Sequence, residues 1–457
     1  MFTEKEIQNY IWSVKDNWAD LIEPFIPPGS MFLFSKDLGD IYPEKLIYNS
    51  SIRRLQRIYD NITKIDLIGV EVPLSKVDDS TIRADFLGAN FMDIGITIIE
   101  LKKSKQTERQ VFTELFAYGN HCLDLFPTMS KNDITYVLIS PMEERIVREA
   151  FIYSLIFEHK SIFAFVPRWT NPQDIKSLRL IPWIPDIKVL SQISKLFLLE
   201  RNFDVIKVVW ERIPGWWNNE DNSNPTDYQK HLMNTVSGLA AQLMEERGIH
   251  GFCFTSQTWP ELDMPYPNSL VIVGLNPYSI GLFKHLFANK DLQDRHLWQH
   301  YNDIGLPDFI PGLSDKNHHI HEDTNYFEGL RFTWMENLYA IALEVLHVLL
   351  KNTDGRSIST ERDSFTWDVY KEEFIEYIFC FNFDVKVTGV LRRLYSDVIC
   401  IDYDVISDSG LEGNPIYGDI FKYSAESFIR HDIFRKFIIR MFENFEEDIL
   451  HRQEENP

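Results

Sequence analysis

The apolar positions change period several times along the first third of the chain, and each change marks an element. Over 51–62 (SIRRLQRIYDNI), Ile52, Leu55 and Ile58 fall on one side of a helix. Residues 81–87 alternate as a strand does, and Gly88-Ala89-Asn90 reads as a turn. A second strand, rich in β-branched side chains, covers 94–101. A helix follows over 107–122, with Val111, Leu115 and Tyr118 turned inward. Residues 133–140 (DITYVLIS) form a further strand stopped by Pro141, then 143–157 a helix and 161–166 a short strand. The predicted order from 51 to 166 is α-β-β-α-β-α-β, an α/β pattern.

Beyond this the pattern is coarser. Pro-rich strands around 180–190 and a helix near 191–202 precede the most polar stretch, 218–227 (NNEDNSNPTD), which reads as a linker or long loop. Asp227 is a candidate cap for the helix running to Gly248. Strands are expected at 251–255, 270–274 and 398–406, and long helices at 278–300, 327–351 and 420–445. The expected division is a domain of 1–190 followed by a larger α/β or α+β region of 191–457. A chain of 457 residues can bury a large core without disulfides or a structural metal.

Charge changes the picture once it is divided along the chain. Lys and Arg total 46 against 68 Asp and Glu, a formal net charge of −22. A uniformly acidic chain would bind DNA poorly, because that binding rests on neutralising phosphates. Residues 1–200 carry 23 basic and 27 acidic side chains, whereas 251–457 carry 18 and 34. The acidity therefore belongs to the C-terminal half, and the N-terminal half is close to neutral. The cysteines (Cys122, Cys253, Cys380, Cys400) form no CxxC pair, which fits buried thiols in a reducing compartment. The start, MFTEKEIQNY, has no signal-peptide pattern, and no apolar run is long enough to span a bilayer. A cytoplasmic protein without a membrane partner is the expectation.

The candidate chemistry lies in TIRADFLG at 81–88 and ITIIELK at 96–102. Strand alternation puts Arg83 and Asp85 on one face of the first strand, and Glu100 and Lys102 on one face of the second. If the strands form a hairpin, Asp85 comes beside Glu100, with Lys102 adjacent. Two such carboxylates make an oxygen-rich site for a hard divalent cation such as Mg²⁺ or Mn²⁺. Left unpaired, they repel each other. An Asp or Glu two positions before a Lys is itself nearly uninformative, since it recurs at Glu158, Asp174, Asp186 and Asp384. Only Glu100 ends an apolar strand, has an in-phase Asp on an upstream strand and leads directly into a helix. Solvated salt bridges at a strand end remain the plain alternative.

This segment resembles the PD-(D/E)xK nuclease superfamily, over roughly residues 45–166. Asp85, preceded by Arg83-Ala84, matches the first acid, with Ala84 where the pattern has Pro, and Glu100 and Lys102 match the second element. The resemblance implies a restriction-endonuclease-like αβ core with a mixed sheet. It implies metal ligation by Asp85, Glu100 and the Leu101 carbonyl, and hydrolysis of phosphodiesters aided by Lys102. Many members add a Gln on the following helix, sometimes four residues before a Tyr. Gln110 lies on this helix, but the residue four before Tyr118 is Glu114. Gln110 would position the water or support the ligands.

Other motifs carry less. Lys102, Lys103, Lys105 and Arg109, with Arg53, Arg54, Arg57 and Lys64, would supply a positive field for phosphate, or simply solvated faces. His318, His319 and His321 read as a polar loop rather than a zinc site. Trp216-Trp217 reads as packing rather than a stacking platform for bases. SLVIVGLNP at 269–277 lacks both phosphate-loop glycine patterns and reads as a buried strand and turn. Neither GxSxG nor HExxH occurs.

The leading expectation is a Mg²⁺- or Mn²⁺-dependent endonuclease acting on nucleic acid, DNA favoured. Its acidic C-terminal region would bind a protein partner or a small-molecule activator. That layout resembles effectors of prokaryotic anti-phage systems, including nucleases paired with short Argonaute proteins and nucleases gated by nucleotide signals. The rival expectation is an inactive nuclease-fold scaffold acting as an interaction protein.

Overall fold

The computed structural model describes residues 2–27, 43–73, 83–90, 95–104, 108, 110–213, 225–288, 325–351, 355–371, 379–397, 434, 435, 438, 439 and 442. The described residues divide into two compact units between Ser191 and Gln192.

The first unit opens with α1 (Glu4–Ser13), started by a capping box in which Thr3 and Glu6 satisfy each other's backbone N–H. After a 3-10 stretch, Lys15–Leu21, come α2 (Pro43–Ile62), β1 (Asp66–Pro73), β2 (Arg83–Ala89) and β3 (Ile96–Leu101). Then follow α3 (Val111–Leu125), β4 (Ile134–Ile139), α4 (Arg145–Ile156), β5 (Ser161–Trp169) and β6 (Leu178–Pro182). The six strands lie in the order β1-β2-β3-β4-β5-β6. Pairs β3–β4 and β4–β5 are parallel and the rest antiparallel, a mixed sheet in an α/β unit. Parallel neighbours need crossovers, and α3 and α4 supply them.

Two features depart from the sequence reading. Strand β1 was not expected, because its pairing with β2 shifts register between Leu67 and Gly69 and breaks the period of two. Gly88-Ala89 is strand rather than turn: Gly88 pairs with Leu67 on one side and Thr97 on the other. A Cβ there would stand 3.0 Å from the Ile65 side chain, so this glycine serves close packing.

Register sorts the side chains between the faces. Ile98 pairs with Tyr136, and Glu100 with Leu138, so Glu100 shares a face with Tyr136. Against that face lies α3, whose Phe116 meets Tyr136 edge-on at 5.4 Å. Val111, Leu115 and Tyr118 are buried, as the helical spacing predicts. The opposite face carries Phe163 and Phe165, met by Trp18, Phe25 and Tyr59 of the N-terminal segments.

Helix α5 (Ile187–Phe197) follows, begun by Asp186, whose carboxylate accepts the Lys188 N–H at 2.8 Å. Asp186 is thus a helix cap, not part of a strand. The second unit continues with β7 (Phe203–Trp210), α6 (Asp227–Glu246), β8 (Gly251–Thr258), β9 (Asn268–Leu275), α7 (Pro277–Ala288) and α8 (Asn325–Leu349). Then come β10 (Thr360–Asp363), α9 (Trp367–Lys371), β11 (Cys380–Asn382) and β12 (Lys386–Thr388), with residues 389–397 helical after it. Its sheet runs β10-β7-β9-β8-β11, with β12 also on β8, and every pair is antiparallel. Trp210, Met233, Ile272, Leu338 and Val345 build its core from β7, α6, β9 and α8. The cap of α6 is Thr226 rather than Asp227: its hydroxyl accepts the Gln229 N–H, and Gln229 returns the bond. The strand expected at 398–406 and most of the helix at 420–445 lie outside the described residues. Among the described residues, no helix is long and apolar enough to cross a membrane.

Gly119 lets α3 lie close on β4, since an added Cβ would come within 2.8 Å of two Tyr136 ring carbons. Gly119→Val is expected to destabilise the first unit by roughly 1–3 kcal/mol, the usual cost of overpacking. Gly238→Ala on α6, where a Cβ meets nothing within 4 Å, is expected to stabilise slightly. Urea unfolding of both variants checks this, and unchanged stability in Gly119→Val would show that the helix can lift at no cost.

Candidate active site

The site forms where β2 and β3 meet beneath α3. The antiparallel register pairs Phe86 with Ile99, and one further step sets Asp85 across from Glu100. Asp85 Oδ2 accepts the Leu101 N–H at 2.8 Å. The Leu101 main chain thus lies against the Asp85 carboxylate. The sequence reading therefore brought together Asp85, Glu100, Leu101 and Lys102 as the structure does.

Glu100 is 2% exposed. One of its oxygens accepts from Lys102 Nζ at 2.7 Å. The other, Oε2, is buried and meets no hydrogen-bond donor, and its acidic neighbours are Asp85 and Glu114. An oxygen so enclosed calls for a proton, a cation or a water. Lys102 Nζ also pairs with Glu114 Oε2 at 2.6 Å, which ties the strand end to α3. Gln110, by contrast, stands exposed at the N-cap of α3, one turn before the residue that reaches the lysine. The helix contributes Glu114 to this cluster. The spacing to Tyr118 pointed to that position, but its side chain was not the amide the resemblance led one to seek.

Helix α1 supplies what the sequence reading missed. Gln8 Nε2 donates to Asp85 Oδ1 at 3.1 Å, and Glu4 accepts the Lys103 N–H at 3.0 Å. Glu4, Gln8 and Ile11 recur at helical spacing on one face, and a polar residue in a buried stripe was the available signal. Glu108 is another acid not singled out. It is fully buried, and its carboxylate accepts the Ser140 hydroxyl and the N–H groups of Met142, Glu143 and Glu144. It clasps the loop before α4 and is spent on structure.

The arginines of α2 belong elsewhere. Arg54 donates to the carbonyls of Leu155 and His159 at the end of α4. Tyr59 on the same helix meets Phe163, on the sheet face opposite Glu100. Of the two readings of the α2 arginines Arg53, Arg54 and Arg57, solvated faces or a positive field around the carboxylates, the field does not hold, because α2 packs on the other face. Lys105, Arg109, Trp216, Trp217, His318, His319 and His321 lie outside the described residues.

The electrostatics follow from burial. Burial first, and the charge of Asp85 second, push the Glu100 carboxyl up to about 9 against the pull of Lys102. Burial raises Asp85 as well, opposed by the Leu101 N–H and Lys102. For Lys102 burial works downward, but Glu100 and Glu114 outweigh it, so its ammonium holds its proton beyond the ordinary lysine range. Among the described residues no group of three or more His, Cys, Asp or Glu side chains could hold a metal ion. A cation here would rest on Asp85, Glu100 and the Leu101 carbonyl, with waters or substrate completing its shell. That suits Mg²⁺ or Mn²⁺, which are often held by one or two carboxylates. The donorless Glu100 oxygen beside a second acid fits such an ion.

The folded chain binds a proton at Glu100 more tightly than the unfolded chain, where the ordinary value is 4.5. Stability linked to that proton is complete below 4.5 and is lost as pH climbs toward about 9. In EDTA the thermal midpoint is expected to fall as pH rises from about 6 to about 9, and Glu100→Gln is expected to flatten that fall. Identical slopes in the two proteins would place the titrating group elsewhere. Comparison with family models, with curated proteins and with solved structures finds no match to this chain.

Proposed function

We propose that the first unit is a metal-dependent nuclease of the PD-(D/E)xK kind that hydrolyses phosphodiester bonds. The observation that carries the reading is the buried Glu100 oxygen without a donor, set beside Asp85 and next to a charged Lys102. Asp85, Glu100 and the Leu101 carbonyl would hold Mg²⁺ or Mn²⁺. When bound, such an ion polarises a phosphoryl oxygen and makes a bound water more acidic.

The chain's own groups have distinct tasks in this reading. Asp85 is kept in place by the Leu101 N–H and stays an acceptor. Lys102 keeps its proton through neutral pH, so it acts as a fixed positive charge rather than as a base. Its ammonium would meet the negative charge that builds on the phosphate during in-line attack by water. Glu114 holds that ammonium from the helix side. The substrate is nucleic acid, with DNA favoured. The second unit would bind a protein partner or small activator, and the arrangement suits an effector of anti-phage defence in the cytoplasm. The formal charge supports a partner other than DNA there, since 251–457 holds 34 acidic against 18 basic residues.

A non-catalytic interaction protein is the second reading. The clasp of Lys102 between Glu100 and Glu114 favours it, because such a triad also serves structure alone. Cleavage of plasmid and oligonucleotides in Mg²⁺ or Mn²⁺, by the full chain purified with its native partners, separates the two. Asp85→Ala, Glu100→Ala and Lys102→Ala are each expected to lower the rate by at least about a hundredfold, the scale of losing a group that acts in the transition state. Equal cleavage by wild type and all three variants would sink the assignment.

A further inference from the structure

The amino-terminal helix α1 reaches the candidate site through a side chain that has no role in the reading above. Gln8 is 3% exposed, a buried amide on the face of α1 that also carries Ile11. Its Nε2 donates to Asp85 twice, to Oδ1 at 3.1 Å and to the main-chain carbonyl at 3.3 Å. Its Oε1 accepts from Lys5 Nζ at 3.1 Å, and that ammonium also pairs with Glu71 on β1. The amide is therefore fully engaged, and both its donor contacts go to one residue.

This pattern is more specific than helix docking requires. A bond to the main-chain carbonyl alone would hold α1 against β2. The added bond to Oδ1 fixes the carboxylate's rotation, because the Leu101 N–H holds Oδ2 from the other side at 2.8 Å. Each Asp85 oxygen thus has one N–H donor and keeps a lone pair for another partner. The amide is also neutral, so it orients the acid without cancelling the charge a cation needs.

We infer that Gln8 is a positioning residue for metal binding: it sets the orientation in which Asp85 presents its free lone pairs to a divalent cation. The inference rests on the metal-site reading proposed above. Hydrogen-bond partners that orient a ligating side chain typically change metal affinity by about 10- to 100-fold when removed.

Mn²⁺ binding to the full chain, followed by electron paramagnetic resonance of the free ion, tests it without reference to cleavage. Gln8→Met keeps the volume but removes the donor, and is expected to weaken Mn²⁺ binding by at least about tenfold. Ile11→Val loosens the same helix away from Asp85 and is expected to leave affinity within about twofold. Should Gln8→Met not fold, Gln8→Asn replaces it, a shorter polar side chain that no longer reaches both Asp85 oxygens, with the same expected weakening. Wild-type affinity in the Gln8 variant, or an equal loss in Ile11→Val, would reduce Gln8 to a docking contact and overturn the inference alone. Absence of Mn²⁺ binding by the wild type, or full binding by Asp85→Ala, would instead overturn the metal site and this inference with it.

Discussion

Two carboxylates held side by side in a buried strand pair are the constraint around which the first unit is arranged. Strand register sets Asp85 across from Glu100, one step beyond the Phe86–Ile99 pair of an antiparallel ladder in which Phe86, Ile98 and Ile99 are buried. Burial raises the proton affinity of both, and the charge of Asp85 raises that of Glu100 further. The surrounding groups answer that repulsion. The Leu101 N–H and Gln8 take the Asp85 oxygens, and Lys102 takes one oxygen of Glu100. A single oxygen is left over, and it is the most informative atom in the site.

The neighbouring elements read as supports for that arrangement. Gly119 allows α3 to lie low on the sheet, which brings Glu114 within 2.6 Å of Lys102. Glu108 pins the segment after β3 to the loop before α4. The capping box at Thr3 starts α1 in the register that points Glu4 and Gln8 toward β2 and β3. The second unit is built differently, as an all-antiparallel sheet with α6 and α8 in its core. With most of the acidity in the C-terminal half, the two units differ in both architecture and charge.

Much of this was legible in the sequence, for local reasons. The strands at 83–89 and 96–101, the helices at 111–125 and 145–156 and their inward residues follow from periodicity, which depends only on spacing along the chain. The pairing of Asp85 with Glu100 and Lys102 was legible for the same reason, since alternation in two adjacent strands decides which side chains share a face. Strand β1 was not, because a register shift between Leu67 and Gly69 breaks the alternation, and Gly88 signalled a turn when it marks a close contact.

What tertiary structure alone decided concerns partners distant in sequence. Nothing in the spacing of α2 told that this helix packs on the face opposite the carboxylates, since a helix can pack on either face of a sheet. Nor did it tell that α1, some 77 positions before Asp85, would bring Gln8 to it. Glu114 was visible as a residue but not as the second hold on Lys102. The sequence by itself determined the strand pair and the chemistry it can present. Packing across the sheet determined which helix residues complete it, because long-range placement depends on summed burial over many residues and leaves no local period to read.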